Sequence, residues 1–362
     1  MSLNDLRTVV LFLVTLTVII AVHEFGHYLT ARLLGMKVLE FAFGFPPRLW
    51  AIRHAGIDYS INAIPFGGFV RILGQEDFSI QQPGAGEAGS FTSKPWWAQA
   101  IVLVAGVTMN MVLAIVLLTI ALVSGATGPT GDVRVQKVAA GSPAETAGIQ
   151  VGDFVRAVDG RSVTSSADLV KYVTRHATQQ PDTEVTLELE RNGHPLAPIK
   201  AVPRAEPPQG EGPLGIALEE VQGPISVPLP DAIQQAFALT GQVLAQAAEL
   251  PAQLLAPRSA PGGGPAVGGP IAILQITGQV AQYGVATFLK LVGVLSVNLA
   301  VLNIIPFPGL DGGRLFFVLV AGIFRRRLSP QLEAAVHAVG FVLLLALLVV
   351  VSIADIRRVV GG

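Results

Sequence analysis

The sequence predicts a polytopic α-helical membrane protein with four transmembrane helices, a membrane-associated β-loop and one inserted α+β domain. Three observations carry this. The 362-residue chain is 51% hydrophobic and only 14% charged, and its mean hydropathy is +0.58, an apolar excess beyond what soluble domains carry. Four segments are long enough to cross a bilayer, which needs about 20 mostly apolar residues. Between the second and third of them, from Val133 onward, the pattern changes to short alternating strands and amphipathic helices.

Charge and cysteine usage narrow the function classes. A formal net charge of -1 leaves no basic stripe large enough to neutralise a phosphate backbone, so a nucleic-acid partner is excluded. With no cysteine in the chain, any bound metal must be held by His, Asp or Glu.

In chain order, residues 1–35 form the first span. It is retained and not a cleaved secretory signal, because it has one nearby basic residue and no small-residue cleavage site. Residues 36–95 hold "FAFGFPPRLW" and "DYSINAIPFGGFVRILG", rich in aromatic and β-branched residues and punctuated by Pro and Gly, hence short strands. The second turns at Pro65, Phe66, Gly67 and Gly68. It is too apolar for a free hairpin and is expected to dip into the interface or to cover the spans, and the polar stretch 75–95 reads as linker. Residues 96–124 are the second span.

Residues 128–204 read as a small folded domain. Ser142 caps a short helix that has Pro143 at its first position and Gly148 past its end. A strand over Phe154–Val158 turns at Asp159 and Gly160. A helix over about Ala167–His176 presents Leu169, Val170 and Val173 on one face. Val185, Leu187 and Leu189 then alternate with polar residues ahead of an Asn192-Gly193 hairpin signal. Residues 205–285 are read as a proline-rich linker followed by an amphipathic helix on the outer membrane surface. Its apolar positions are Ile233, Ala236, Phe237, Leu244 and Ala247, its polar face carries Gln234, Gln235, Gln242 and Gln246, and the run "APGGGPAVGGP" follows as loop. Residues 286–324 are the third span, broken by Pro306 and Pro308, and residues 331–355 the fourth.

Orientation follows from short-loop basic residues, which accumulate on the cytoplasmic side. Arg32, Lys37, Lys94, Arg325, Arg326 and Arg327 share one side if both termini are outside, whereas Arg357 and Arg358 oppose this. The segment 124–285 is then extracytoplasmic.

The chemistry-bearing stretch is "AVHEFGHYLTAR" inside the first span. His23 and His27 are four residues apart, so on a helix they lie about 40° apart around the axis and about 6 Å along it, and both imidazoles reach one metal ion. Glu24 falls in the same arc, placed to take a proton from water. Ionisable groups within a span are costly and by default face a partner or a cavity. Zinc would need a third protein ligand. Asp311, the sole carboxylate of the third span, is the best candidate, with an ion pair to Arg314 as its alternative role. Asp58, Glu40 and His337 stand next in line as ligands. Broken backbone at membrane depth is tolerated only where it is buried in protein or lines a wet cavity.

These motifs together resemble the site-2 protease family, in its bacterial RseP-like branch. The resemblance is carried by His23-Glu24-Phe25-Gly26-His27, by "FGFPPRLW" and "IPFGGFVRILG", by Gly106 and Asn110, and by Asn303-x-x-Pro306-x-Pro308 with Leu310-Asp311-Gly312. "GSPAETAGIQVGDFVRAVDG" resembles the core of a bacterial PDZ domain, present once. Such a likeness implies a zinc-dependent endopeptidase of the bacterial cytoplasmic (inner) membrane, with both termini and the PDZ-like domain outside. It implies zinc on His23, His27 and Asp311, Glu24 as general base, and an extended substrate held by Asn303, Pro306 and Pro308 and by Ile64, Gly67, Gly68 and Phe69 of the β-loop. The implied partners are the lipid bilayer and a single-pass membrane protein such as a trimmed anti-sigma factor. The PDZ-like domain would either exclude untrimmed substrates or recruit trimmed ones. A metal transporter would need several ligand sets across the bilayer, and an inactive PDZ scaffold would have no use for Glu24.

Overall fold

In the computed structural model, which describes residues 3–75, 86–208, 210–255, 269–325 and 329–360, the apolar N-terminal stretch forms α1 (Leu3–Leu33). It leads into β1 (Val38–His54) and β2 (Ile57–Ile72), paired antiparallel through a turn at Ala55 and Gly56. The short strands expected here are instead two long bent ones. Residues 40–43 lie between 68–71 on one flank and 58–61 on the other, while 48–54 pair with 57–62, so the two strands make four ribbons of sheet with 67–72 along one outer edge. Val38, Phe41, Ile57, Val70 and Ile72 pack inward with Ala31 and Leu103. Leu49, Trp50, Ile52 and Ile61 stay exposed.

A buried carboxylate ties the four ribbons together. Glu40, only 3% exposed, accepts from Ser60 Oγ at 2.7 Å and pairs with Arg71 at 2.8 Å and with Arg48. Each ribbon thus contributes one residue to the cluster. Next comes α2 (Trp96–Val123), which crosses α1 so closely that a Cβ on Gly26 would collide with the Ala105 carbonyl.

The chain divides into two units, Met1–Gly125 with Val227–Gly362, and the inserted Ala126–Ser226. The inserted unit begins with β3 (Thr127–Val138). Ser142 Oγ then accepts from Glu145 N–H at the start of α3 (Pro143–Thr146), with Pro143 in its first turn. After β4 (Phe154–Val158) and β5 (Arg161–Ser162) comes α4 (Ser166–Gln179), capped by Ser165. The remaining strands are β6 (Val185–Arg191), β7 (His194–Pro195), β8 (Ile199–Ala201) and β9 (Ile216–Pro224). The sheet runs β7-β6-β4-β3-β9, with β5 on β4 and β8 on β6. Val133, Val155, Leu169, Val173, Val185, Leu187 and Leu189 form its core. On α4 the buried stripe is Leu169, Val173 and Ala177, and Val170 faces out.

The expected limits 128–204 are therefore too short. Residues 205–285 are not all linker, because β9 pairs along β3 from Thr127↔Pro224 to Val138↔Ile216. Prolines crowd the ends of that strand, Pro224 being its last paired residue, and their density hid it.

The chain then returns to the helical unit with α5 (Leu229–Leu255), which packs on α2. Its buried face is Ala232, Ala236 and Thr240, while Ile233, Phe237 and Leu244 are exposed. This corrects the expected apolar face: small residues at intervals of four let helix backbones approach closely, and the large apolar ones point away. A second helix missing from the sequence reading, α6 (Pro270–Val280), follows. Residues 260–268 of the loop "APGGGPAVGGP", residues 76–85 of the 75–95 linker, and Arg326 and Arg327 lie outside the described residues.

The expected single span 286–324 is two helices, α7 (Val285–Ile304) and α8 (Asp311–Phe324), parted by residues 305–310. Pro306 and Pro308 cannot donate to a helical ladder, so the break falls where they stand. The chain closes with α9 (Pro330–Val360), whose Asp355 Oδ2 accepts from Ala272 N–H in the first turn of α6. Among the described residues four helices are long and apolar enough to cross a membrane: Asn4–Leu33, Trp96–Val123, Val285–Ile304 and Gln331–Arg357.

Candidate metal centre

Three side chains from two helices converge on one point. His23 and His27 sit one turn apart on α1, and Asp311 opens α8 after the proline break. His23 Nε2 lies 2.9 Å and His27 Nε2 3.1 Å from Asp311 Oδ2, and the two Nε2 atoms are 3.2 Å apart. The histidines are 5% and 8% exposed. No chain continuity forces this meeting across some 280 positions; the break between α7 and α8 lets Asp311 turn toward α1.

The atoms facing one another suit a cation better than they suit each other. The Val102 carbonyl can only accept, so the 2.8 Å contact from His27 Nδ1 puts that ring's proton on Nδ1 and leaves Nε2 with its lone pair. On His23, Nδ1 lies 3.4 Å from the Asn110 amide nitrogen, while Asn110 Oδ1 is buried with no hydrogen-bond partner among the described residues. Turning the amide by half a rotation lets Oδ1 accept from His23 Nδ1–H and satisfies both groups. Ser296 Oγ of α7 donates to the Asn110 carbonyl at 2.8 Å and anchors that stretch of α2. Two nitrogen lone pairs and a carboxylate oxygen then share one point. Their mutual spacings approach the roughly 3.3 Å expected for tetrahedral zinc with bonds of about 2.0 Å. The residues present fit the ion.

Glycines make room for this. A Cβ on Gly106 of α2 would lie 2.5 Å from His27 Nε2 and 2.8 Å from His23 Nε2. Along the outer ribbon of the sheet, a Cβ on Gly68 would lie 3.4 Å from Glu24 Cγ and 3.2 Å from the Ile20 side chain. Gly68 on this edge thus lies beside Glu24, itself partly exposed.

The other expected site residues are placed as follows. Asn303 lies in the last turn of α7, partly exposed; Pro306 is exposed and Pro308 partly buried in the following break. Ile64 is 46% exposed, away from the buried sheet face. The reserve ligands are engaged elsewhere: Glu40 in the ribbon cluster, Asp58 beside Arg48 and Arg53 at 3.9 and 3.7 Å, and His337 on the Gly309 N–H. The orienting roles of Val102, Asn110 and Ser296 escaped the sequence reading. The signal available for them was the Gly106 and Asn110 pair, one turn apart in a largely apolar span.

The match to known proteins extends over this whole frame. Residues 11–347 match the model for Peptidase family M50. The chain belongs to that family. Curated relatives named "Putative zinc metalloprotease" include one from Clostridium perfringens, 34% identical, covering 96% of this chain and 98% of its own. Another, from Rhizobium meliloti, is 32% identical over 98% of this chain and 97% of its own. A third, from Agrobacterium fabrum, is 30% identical over 98% and 96%. Family M50, the site-2 proteases, makes the chain a peptidase.

Proposed function

We propose that the chain is a zinc-dependent intramembrane endopeptidase that cleaves single-pass membrane proteins, a trimmed anti-sigma factor being the expected type of substrate. The observation that carries this is the convergence of His23, His27 and Asp311, whose ligand atoms all lie within 4.8 Å of one another, with both histidines on a helix long and apolar enough to span a membrane. Zinc held by these three would supply Lewis-acid polarisation of the scissile carbonyl and acidify a water molecule.

The chain's own residues do the rest. Glu24, next to His23, takes the proton from the attacking water and passes it to the departing amine as the C–N bond breaks. A helical substrate keeps its carbonyls in its own hydrogen bonds, so the cleaved stretch must be extended. The outer ribbon 67–72 offers a sheet edge on which such a stretch can pair, and Gly68 lets its backbone pass close to Glu24. Asn303, Pro306 and Pro308 would flank the same stretch from the α7–α8 side, and Ile64 would contact its side chains.

Four candidate spans and the basic residues of the short loops support a topology with both termini and the inserted unit outside the bacterial cytoplasmic membrane, although Arg357 and Arg358 oppose it. The PDZ-like reading of the inserted unit is supported by its capped α3, its α4 and its sheet with β9 at an edge, where an extended peptide could add. The decisive experiment is Glu24→Gln in purified chain with a single-span substrate. Hydrolysis should fall below detection while about one zinc per chain remains, because the amide cannot accept a proton yet both imidazoles persist. Loss of zinc, or retained cleavage, would refute the assignment.

A further inference from the structure

A buried histidine outside the proposed ligand set touches the loop that delivers Asp311. His337 of α9 is 6% exposed, although Val339, Val342 and Leu343 around it are 60%, 63% and 55% exposed. An imidazole in such a helix is costly unless its polar atoms are used. Gly309 N–H donates to its Nδ1 at 2.9 Å, so Nδ1 is the acceptor and the proton resides on Nε2. Nε2 has no hydrogen-bond partner among the described residues. Only one side of the ring is therefore engaged in a hydrogen bond, and that side faces the loop.

The contact is reinforced on both sides. One turn beyond His337, a Cβ on Gly340 would collide with the Pro308 carbonyl, so α9 lies directly on the loop. Gly309 adopts φ +97°, a left-handed conformation suited to glycine, and a Cβ there would lie 3.0 Å from Phe341 N. The Phe317 ring of α8 meets the His337 ring edge-on, with centroids 5.5 Å apart. His337 thus touches the break at Gly309 and, six residues past Asp311, the helix that Asp311 opens. Leu310 N–H donates to Phe307 O within the loop at 3.1 Å, but Gly309 N–H is held by α9.

We propose that His337 is a positioning residue: by accepting the Gly309 N–H it sets the 305–310 break so that the Asp311 carboxylate faces His23 and His27. The inference rests on the metal set proposed above. A role in filling space would be met by any side chain of similar bulk, whereas this one requires an acceptor where Nδ1 stands. The carbonyl oxygen of asparagine reaches that place, while glutamine sets its amide near the position of Nε2.

The test uses the full chain in detergent, with zinc itself as the probe. Affinity is measured by competition with a chromophoric chelator for the parent and for His337→Asn, His337→Gln and His337→Leu. Amide exchange of the segment spanning residues 305–312 is followed in the metal-free proteins. His337→Asn should bind zinc within about threefold of the parent and keep the Gly309 amide protected. His337→Gln and His337→Leu should each bind about 10-fold more weakly, the scale of indirect partners of metal ligands, with protection lost.

Equal affinity in all variants would overturn the proposal, as would equal loss in Asn and Gln, which would make the ring a packing element. If the leucine variant does not fold, the asparagine and glutamine pair decides by the same criteria. Asp311→Asn in the same assay tests the metal set separately: unchanged affinity there would sink the ligand assignment, whatever the exchange data say of the Gly309 bond.

Discussion

The inserted unit and the helical unit both bury apolar residues but differ in the polar groups they bury and in what they expose. In Ala126–Ser226 the interior is Val133, Val155, Val185, Leu187 and Leu189, and charges pair nearer the surface: Arg134 with Glu219, Arg156 with Asp132 and Glu190. In the helical unit His23, His27, Asn110, Ser296 and His337 are buried, while Val342, Leu343, Val349 and Val350 are more than half exposed. A lipid solvent accounts for the difference, since exposed apolar side chains cost nothing there and polar ones must find partners inside. A buried polar group consequently means different things in the two places.

Two aspartates make the contrast concrete. Asp153 of the inserted unit is 0% exposed. It accepts from Arg191 Nε at 2.6 Å, from Arg191 Nη2 at 2.8 Å and from Gln150 N–H at 2.8 Å. Its needs are met by a cation and a backbone donor, which is a structural pin. Asp311 faces two imidazole nitrogens whose lone pairs point the same way, the arrangement proposed above to hold zinc. Exchanging the mutation between the two should separate the phenotypes most strongly. Asp311→Ala should lower zinc affinity by at least about 100-fold and hydrolysis by about 10³-fold or more, with amide exchange in β6 unchanged. Asp153→Ala should keep one zinc per chain and destabilise the inserted unit by about 2–4 kcal/mol, since Arg191 is left without its buried partner. Zinc loss in the second variant, or its retention in the first, would erase the distinction.

Glycines sharpen the same comparison at smaller cost. Gly106 lies against both metal-site histidines, whereas Gly241 on α5 has open space where its Cβ would be. Gly106→Ala should push the imidazoles apart and cut zinc affinity at least about 10-fold, the range seen when the partners of metal ligands are disturbed. Gly241→Ala should leave zinc binding and activity at parent levels and add about 0.5–1 kcal/mol of helix stability. Equal behaviour of the two variants in a zinc titration would show that the close approach of α2 to the histidines is not needed.

Much of this is legible in the sequence. Periodicity and span length place α1, α2 and α9, and the HExxH spacing on a helix places His23, Glu24 and His27 on one arc. Asp311 followed from being the sole carboxylate in its span. What stayed hidden depends on partners far away in the chain. The strand β9 is recognisable only by its pairing with β3, because its own stretch is flanked by prolines. The inward face of α5 is its small-residue stripe, and hydrophobicity alone points to the opposite face when the solvent is lipid. Glu40 reads as a spare metal ligand until the bending of β1 and β2 brings Arg48, Ser60 and Arg71 around it. Likewise the separation of α7 from α8 is visible in Pro306 and Pro308, but the hold of His337 on Gly309 is not.

The smallest effect expected is a pH response confined to the inserted unit. Burial pushes the Asp153 carboxyl up, but the hydrogen bonds from Arg191 and from Gln150 N–H outweigh it and hold the group below the ordinary carboxylate value. A carboxylate whose folded pKa is depressed stabilises the fold fully above its unfolded pKa, about 3.9, and that contribution fades as pH falls through the folded value. Between pH 7 and pH 5 the inserted unit should therefore hold constant stability with respect to this group. Below about pH 4 stability should decline by at most about 1.4 kcal/mol per pH unit for this one proton. Amide exchange in β4 and β6, corrected for the intrinsic pH dependence of exchange, reads the change directly. Asp153→Asn should lower stability at neutral pH and flatten the acid slope, since the amide neither ionises nor pairs with Arg191 as an anion. An unaltered slope in that variant would assign the acid response to other carboxylates of the unit and leave Asp153 as a hydrogen-bond acceptor whose charge does not matter.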